Sequence, residues 1–290
     1  SHPLPDNRRS INGFRIILEV ASAPAPVAAA PKVAPPNPPP VVAASTRAGQ
    51  DAPSENSLGM KFVPVPDTEV LFCIHEVRWK DYAAYAKENP EIAPIWRNQT
   101  FFGIEIKENA EDHPVGLIQL EDAQAFCHWL SKKEGLTYRL PTDHEWSMAV
   151  GIGKMEDDKA APQEKSGKIE GQYPWGNEWP PPQGAGNYSD ESRKAKAPLN
   201  SGETIYLEGY DDGFPTTSPV MSFKPNSLGL YDLCGNVVEW VADWNSTGSR
   251  VLRGGGWWAG NSIVTESSFR FVFSPTARNH DFGFRLVLAK

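Results

Sequence analysis

The chain has 290 residues, 40% of them apolar and 11% aromatic, with ten tryptophans, which is enough to bury one large core. Its 36 acidic residues against 28 basic ones give a formal charge of −8, and no Lys/Arg cluster interleaves with aromatics, so a nucleic-acid backbone and an anionic membrane surface are both disfavoured as partners. No apolar run approaches the ~18 residues of a membrane-spanning helix, the first residues lack the shape of a signal peptide, and Cys73, Cys127 and Cys234 form neither a C-x-x-C motif nor an even disulfide framework.

In chain order, the first signal is Asn7–Val20, NRRSINGFRIILEV, which parallels RNHDFGFRLVLAK at the C-terminus: a polar turn, Gly-Phe-Arg, then a β-type run. Residues 1–20 are therefore expected to be the terminal strand of an upstream copy of the same or a related domain. The alternative is an edge strand added in cis or to a neighbouring chain, since so short a segment buries no core alone. Residues 21–53 are rich in proline and alanine and read as an extended, polyproline-II-like linker. Residues 54–290 form the complete domain.

Within that domain three helices are legible. From Trp79, the residues Trp79, Tyr82, Ala83 and Ala86 share one face, and Pro90 stops the run. From Glu121, the residues Ala123, Phe126, Cys127 and Leu130 recur at helical spacing; Glu121 and Asp122 suit the N-terminal dipole, Lys132 and Lys133 the C-terminal one, and Gly135 supplies a left-handed cap. Cys127 and Cys234 read as small buried hydrophobes. Thr142-Asp-His-Glu145 has capping-box spacing and opens a third helix carrying Trp146, Ala149 and Val150. After Gly151 helical periodicity largely disappears, and the rest is rich in Gly, Pro, Asn and aromatics. So long an irregular stretch calls for metal ions or special loops to organise it.

A set of ordered motifs runs through residues 54–290: Asn56-Ser-Leu-Gly-Met-Lys-Phe, Ile74-His-Glu-Val-Arg, His113-Pro-Val, Tyr138-Arg-Leu-Pro-Thr-Asp-His-Glu-Trp, Tyr173-Pro-Trp-Gly-Asn, Leu230-Tyr-Asp-Leu-Cys-Gly-Asn-Val-Val-Glu-Trp, Arg250-Val-Leu-Arg-Gly-Gly-Gly-Trp and Gly283-Phe-Arg. In this order and spacing the chain resembles the formylglycine-generating enzyme, or sulfatase-modifying factor, family. The resemblance implies an irregular α+β fold related to C-type lectins, with little regular secondary structure.

The resemblance also implies two calcium sites. The first would take the side chains of Asn187 and Asp212 with the carbonyls of Tyr188 and Phe214. The second would take Asp232 and Glu239 with the carbonyls of Gly235 and Val237. Calcium is a hard cation wanting six to eight oxygens, and such loops can aim them inward. From spacing alone the same residues also fit ordinary Asx turns on a solvated surface.

The family's oxidase members carry two copper-binding cysteines in the segment Arg250–Lys290, and here there are none. Ala259 falls at the first position, the stretch Asn261–Ser268 offers only oxygens and apolar groups, and Gly256 replaces the serine after Gly-Gly. A soft Cu(I) ion needs thiolates, so oxidation of a substrate cysteine to formylglycine is not expected. A second branch of the family uses iron held by histidines in an extra helical domain; the six histidines show no H-x-x-x-H-x-E pattern, and His113 and His144 read as turn and surface residues. The expectation is a non-catalytic, calcium-stabilised module of an extracytoplasmic protein, binding a protein or glycan through a groove of Trp257, Trp258, Asn261 and Glu266. An oxidase or oxygenase with a non-standard active site and a structural tandem-repeat module are the alternatives.

Overall fold

The structure is a computed structural model that describes residues 54–290 except Gln99, Phe102, 107–109, 197–204 and 246–247. The expected terminal strand (1–20) and linker (21–53) lie outside the described residues.

The three expected helices are present. Helix α1 spans Trp79–Glu88 and ends at Asn89; α2 spans Leu120–Glu134 and closes on Gly135 at φ +68°; α3 spans Asp143–Val150 and closes on Gly151 at φ +97°. Each start is held chemically. Asp81 accepts from the backbone N–H of Arg78, Asp122 from that of Gln119, and Thr142 and Glu145 exchange reciprocal bonds around the α3 start. Beyond α3 the described residues form two short α-helices, α4 (Pro162–Lys165) and α5 (Glu191–Lys196).

The strands are β1 (Ser54–Glu55), β2 (Lys61–Pro64), β3 (Val70–Cys73), β4 (Thr100–Phe101), β5 (Ile104–Glu105), β6 (Tyr138–Arg139), β7 (Val238–Trp244), β8 (Arg250–Arg253), β9 (Arg270–Phe273), β10 (Phe282–Gly283) and β11 (Val287–Ala289). They form a five-stranded sheet in the order β1-β2-β3-β11-β6, a four-stranded sheet in the order β10-β7-β8-β9, and the β4-β5 hairpin. Strand β11 lies antiparallel to both β3 and β6, pairing Val287 with Phe72 and with Arg139. This mixture of short strands and helices, joined by long irregular loops, is the expected α+β fold.

Of the three apolar clusters among the described residues, two hold the elements together. One joins α1 and α2 to the sheets through Tyr82, Phe126, Leu130, Trp240 and Phe284; the other packs α3 between them through Trp146, Val241, Val251 and Val287. Under α3 lies a buried ionic cluster. Asp143 accepts from Arg253 Nη1 at 2.5 Å and from Arg270 at 3.0 Å, with Lys165 Nζ also 3.0 Å away, while Arg270 reaches on to Glu156. Burial alone would raise the Asp143 carboxyl, but Arg253, Arg270 and Lys165 outweigh it and hold the group well below the usual aspartate range. All these side chains are under 10% exposed, so the cluster is an interior fastening of α3 to β8 and β9.

Candidate functional site

Two loops carry the first set of expected metal ligands. Asn187 and Tyr188 come just before α5, and Asp212 and Phe214 follow in the loop after it. Asp212 accepts from the backbone N–H of Tyr188 and of Phe214, both at 2.8 Å, and from Asn187 Nδ2 at 3.3 Å. Asn187 is wholly buried; its Nδ2 also donates to Thr216 O at 2.9 Å, while its Oδ1 has no hydrogen-bond partner. Burial first, and the nearby Asp190 charge second, push the Asp212 carboxyl up to about 8. An orphaned buried oxygen beside two carboxyls in a low-dielectric loop is the donor set a hard cation satisfies. Asp190 was not singled out from the sequence, although it closes the GNYSD motif; its Oδ2 accepts from Asp212 N at 2.5 Å.

The second set sits on the turn between Asp232 and Glu239, with Asp232, Gly235 and Asn236 at φ +55°, +137° and +59°. This turn presses on the first loop. Tyr188 Oη donates to Cys234 O at 2.6 Å, Asn236 N donates to Asn187 O at 3.2 Å, and a Cβ on Gly235 would lie 3.0 Å from Asn187 O. Asp232 Oδ2 accepts from Met221 N at 2.8 Å while Oδ1 has no partner, and burial raises the carboxyl to about 6. Glu239 differs. Its two oxygens accept from Arg285 Nε and Nη2 at 2.6–2.8 Å and from Trp146 Nε1 at 3.0 Å, so the chain already supplies a cation there. An ion at this set would have to share Glu239 with Arg285. A third acid completes the neighbourhood: Glu76 accepts from Asn236 Nδ2 and Val237 N, and burial together with Asp232 and Glu239 raises it well above the usual range. Glu76 and Arg285 lie inside the His-Glu-Val-Arg and Gly-Phe-Arg motifs, yet their part here was not read from the sequence.

The expected ligand groove is largely consumed by the fold. Trp257 is only 3% exposed, edge-on to Phe101 and under the Arg193 guanidinium at 4.2 Å, which corrects its assignment to a groove wall. Trp258 is half-buried and its Nε1 donates to Asp281 Oδ2. Asn261 Oδ1 accepts from the backbone N–H of Ile263 and Val264, and Glu266 Oε1 from that of Gly171 at 3.0 Å. These polar groups shape the loop from within. Ala259, at the first copper-cysteine position, is 0% exposed, and its carbonyl accepts from Ser189 N. The backbone of Ile205 lies over the next residue, so that a Cβ on Gly260 would come 1.9 Å from Ile205 O. Cys234 is buried, donates to Thr265 O at 3.0 Å, and has its thiol pushed up to about 12 by burial.

Histidine chemistry is also limited. His113 is buried, with Nδ1 2.9 Å from Thr217 Oγ1, so the expected exposed turn residue is an interior one. Among the described residues no cluster of three or more His, Cys, Asp or Glu side chains is arranged to hold a metal by itself. Both expected calcium sets depend instead on amide and carbonyl oxygens beside one or two carboxyls.

An irregular α+β domain with paired acidic loops and a cysteine-free C-terminal segment defines a divergent member of the sulfatase-modifying factor class. The Sulfatase-modifying factor enzyme 1-like domain matches residues 72–290, and the chain belongs to that family. It is 35% identical over 168 residues to the inactive C-alpha-formylglycine-generating enzyme 2 of Bos taurus, covering 56% of this chain and 44% of that protein. It is 33% identical over 167 residues to the formylglycine-generating enzyme of Thermomonospora curvata, covering 58% of this chain and 43% of that protein. The chain thus matches less than half the length of these relatives. Among solved structures, PvdO from Pseudomonas aeruginosa shares the fold with a TM-score of 0.50 at 21% identity, covering 79% of this chain and 90% of its own. Treponema denticola variable protein 1 does so equally, with a TM-score of 0.50 at 21% identity, covering 82% of this chain and 94% of its own.

Proposed function

We propose that this chain is a non-catalytic, calcium-stabilised module of the formylglycine-generating enzyme family that binds a ligand in an extracytoplasmic protein. The observation that carries the reading is Ala259: a methyl group, 0% exposed, where the oxidases place a copper thiolate. No soft donor replaces it, because the Cys234 thiol is buried and bonded to Thr265 O. The family relative named as inactive supports a non-catalytic role. No helix among the described residues is long and apolar enough to cross a membrane.

Calcium would be held first by Asn187 Oδ1, Asp212 and the carbonyls of Tyr188 and Phe214, with Asp190 adding negative charge. Asp232 and the carbonyls of Gly235 and Val237 form the second set, which shares Glu239 with Arg285. The ion's part is structural: it neutralises buried acids and ties together loops that no sheet ladder holds.

The test is mass spectrometry of a Cys-x-Pro-x-Arg peptide incubated with the protein, copper, thiol and oxygen. An unchanged cysteine beside a turning-over positive control is expected. Formylglycine in the product would overturn the non-catalytic reading.

A further inference from the structure

Outside the expected groove, the described structure contains a cleft of about 380 Å³ between the loop from Pro174 to Ala185 and the loop from Lys224 to Cys234. That volume falls within the roughly 300–1,000 Å³ range of small-ligand sites. One wall is Trp175. Its ring lies parallel to Tyr173 at 4.9 Å with an interplanar angle of 2°, and edge-on to Tyr188 at 5.6 Å, so it is rigidly backed. Its Nε1 is already committed to Glu178 O at 3.0 Å. Trp175 therefore offers the cleft an apolar face and no donor.

The remaining lining is polar and of both kinds. Lys224 and Ser227 are exposed at the rim and bring donors. Gln183 is exposed too; its Nε2 donates to Gly209 O at 3.0 Å, which leaves its carbonyl as an acceptor toward the cleft loop. Asp232 closes the floor of the cleft, but its unpaired oxygen belongs to the second calcium set and is not counted as a ligand contact. A rigid indole face with donors and acceptors around it matches a pyranose ring, which has one C–H face and a rim of hydroxyls that both donate and accept. A wholly apolar ligand would strand the polar lining.

We infer that the cleft walled by Trp175, Gln183, Lys224 and Ser227 is a saccharide subsite for neutral or N-acetylated hexoses. The assignment deepens the ligand-binding reading and rests on it, while placing the ligand in a cleft that neither Trp257 nor Glu266 lines.

The experiment is saturation-transfer difference NMR on the full chain with maltose, lactose and N,N′-diacetylchitobiose as probes, followed by affinity titration. Transfer from at least one disaccharide is expected, with affinity falling by about tenfold or more in Trp175→Ala. Because Trp175 also packs on Tyr173 and Tyr188, Ser227→Trp provides a second variant: it should block the mouth and abolish transfer with the melting temperature unchanged. No transfer from any of the three sugars overturns the assignment, as does transfer that survives both variants. In either case a non-catalytic module with a ligand elsewhere still stands, whereas formylglycine production in the peptide assay would remove that reading instead.

Discussion

Arg285 and Glu239 form a wholly interior pair: Nη2 lies 2.6 Å from Oε1, Nε lies 2.8 Å from both oxygens, and the side chains are 0% and 1% exposed. Taking away one partner leaves the other as a buried, uncompensated charge. Glu239→Ala is expected to cost about 3–5 kcal/mol in urea unfolding even in chelator, and more in calcium, because the second calcium set shares this carboxylate with Arg285. A loss that vanishes in chelator would make Glu239 chiefly an ion ligand.

Calcium removal should act on both acidic loops. Excess EDTA is expected to lower the melting temperature, since an ion present at 100 times its Kd stabilises by about 2.7 kcal/mol. Asp212→Ala should lower the melt of the calcium-loaded protein and reduce its response to EDTA. A melt unchanged by chelation would discard both metal sets.

The cluster around Asp143 gives a pH prediction. Its carboxyl is held below the ordinary aspartate value, so the stability it adds is complete above about pH 4 and is lost as acid protonates the folded group. Asp143→Asn should destabilise by about 3–5 kcal/mol at pH 7. The gap to the parent protein should narrow steadily below pH 4. An equal gap at pH 3 and pH 7 would show that the charge on Asp143 contributes nothing.

Gly260→Ala probes the cover over Ala259. The new Cβ would meet Ile205 O at 1.9 Å, a contact with backbone that no rotamer change relieves. A loss of about 1–3 kcal/mol is expected. Hydrogen exchange at the Leu207 amide, which donates to Ser189 O, should speed up at the same time. Wild-type exchange there would mean that the strand of chain over Gly260 is not a seal.

The three long helices were legible because each carries its own punctuation. Thr142 with Glu145, Gly135 and Gly151 fix boundaries locally, and the structure places them where the spacing does. Asn89 ends α1 ahead of Pro90, a residue earlier than the proline alone suggests. The acidic loops were found through motif order. What escaped were partnerships without a period: Glu76 with Asn236, Arg285 with Glu239, and Asp190 with Asp212, the first two joining residues 160 and 46 positions apart. The two tryptophans of the expected groove part company for a related reason. Adjacent Trp257 and Trp258 look alike in sequence, and only the placement of Phe101, Arg193 and Asp281 sends one inward and ties down the other.

Strand β11 is an interior strand of the five-stranded sheet, between β3 and the edge strand β6. The residues that it joins are remote: Arg285, just before it, bonds the carbonyl of Cys73 across 212 positions. During synthesis β3 and β6 must therefore wait with open edges until almost the whole domain has emerged, and folding should be slow for a chain of this size. Any break in the chain ahead of Val287 would leave those edges ready to take a strand from another molecule.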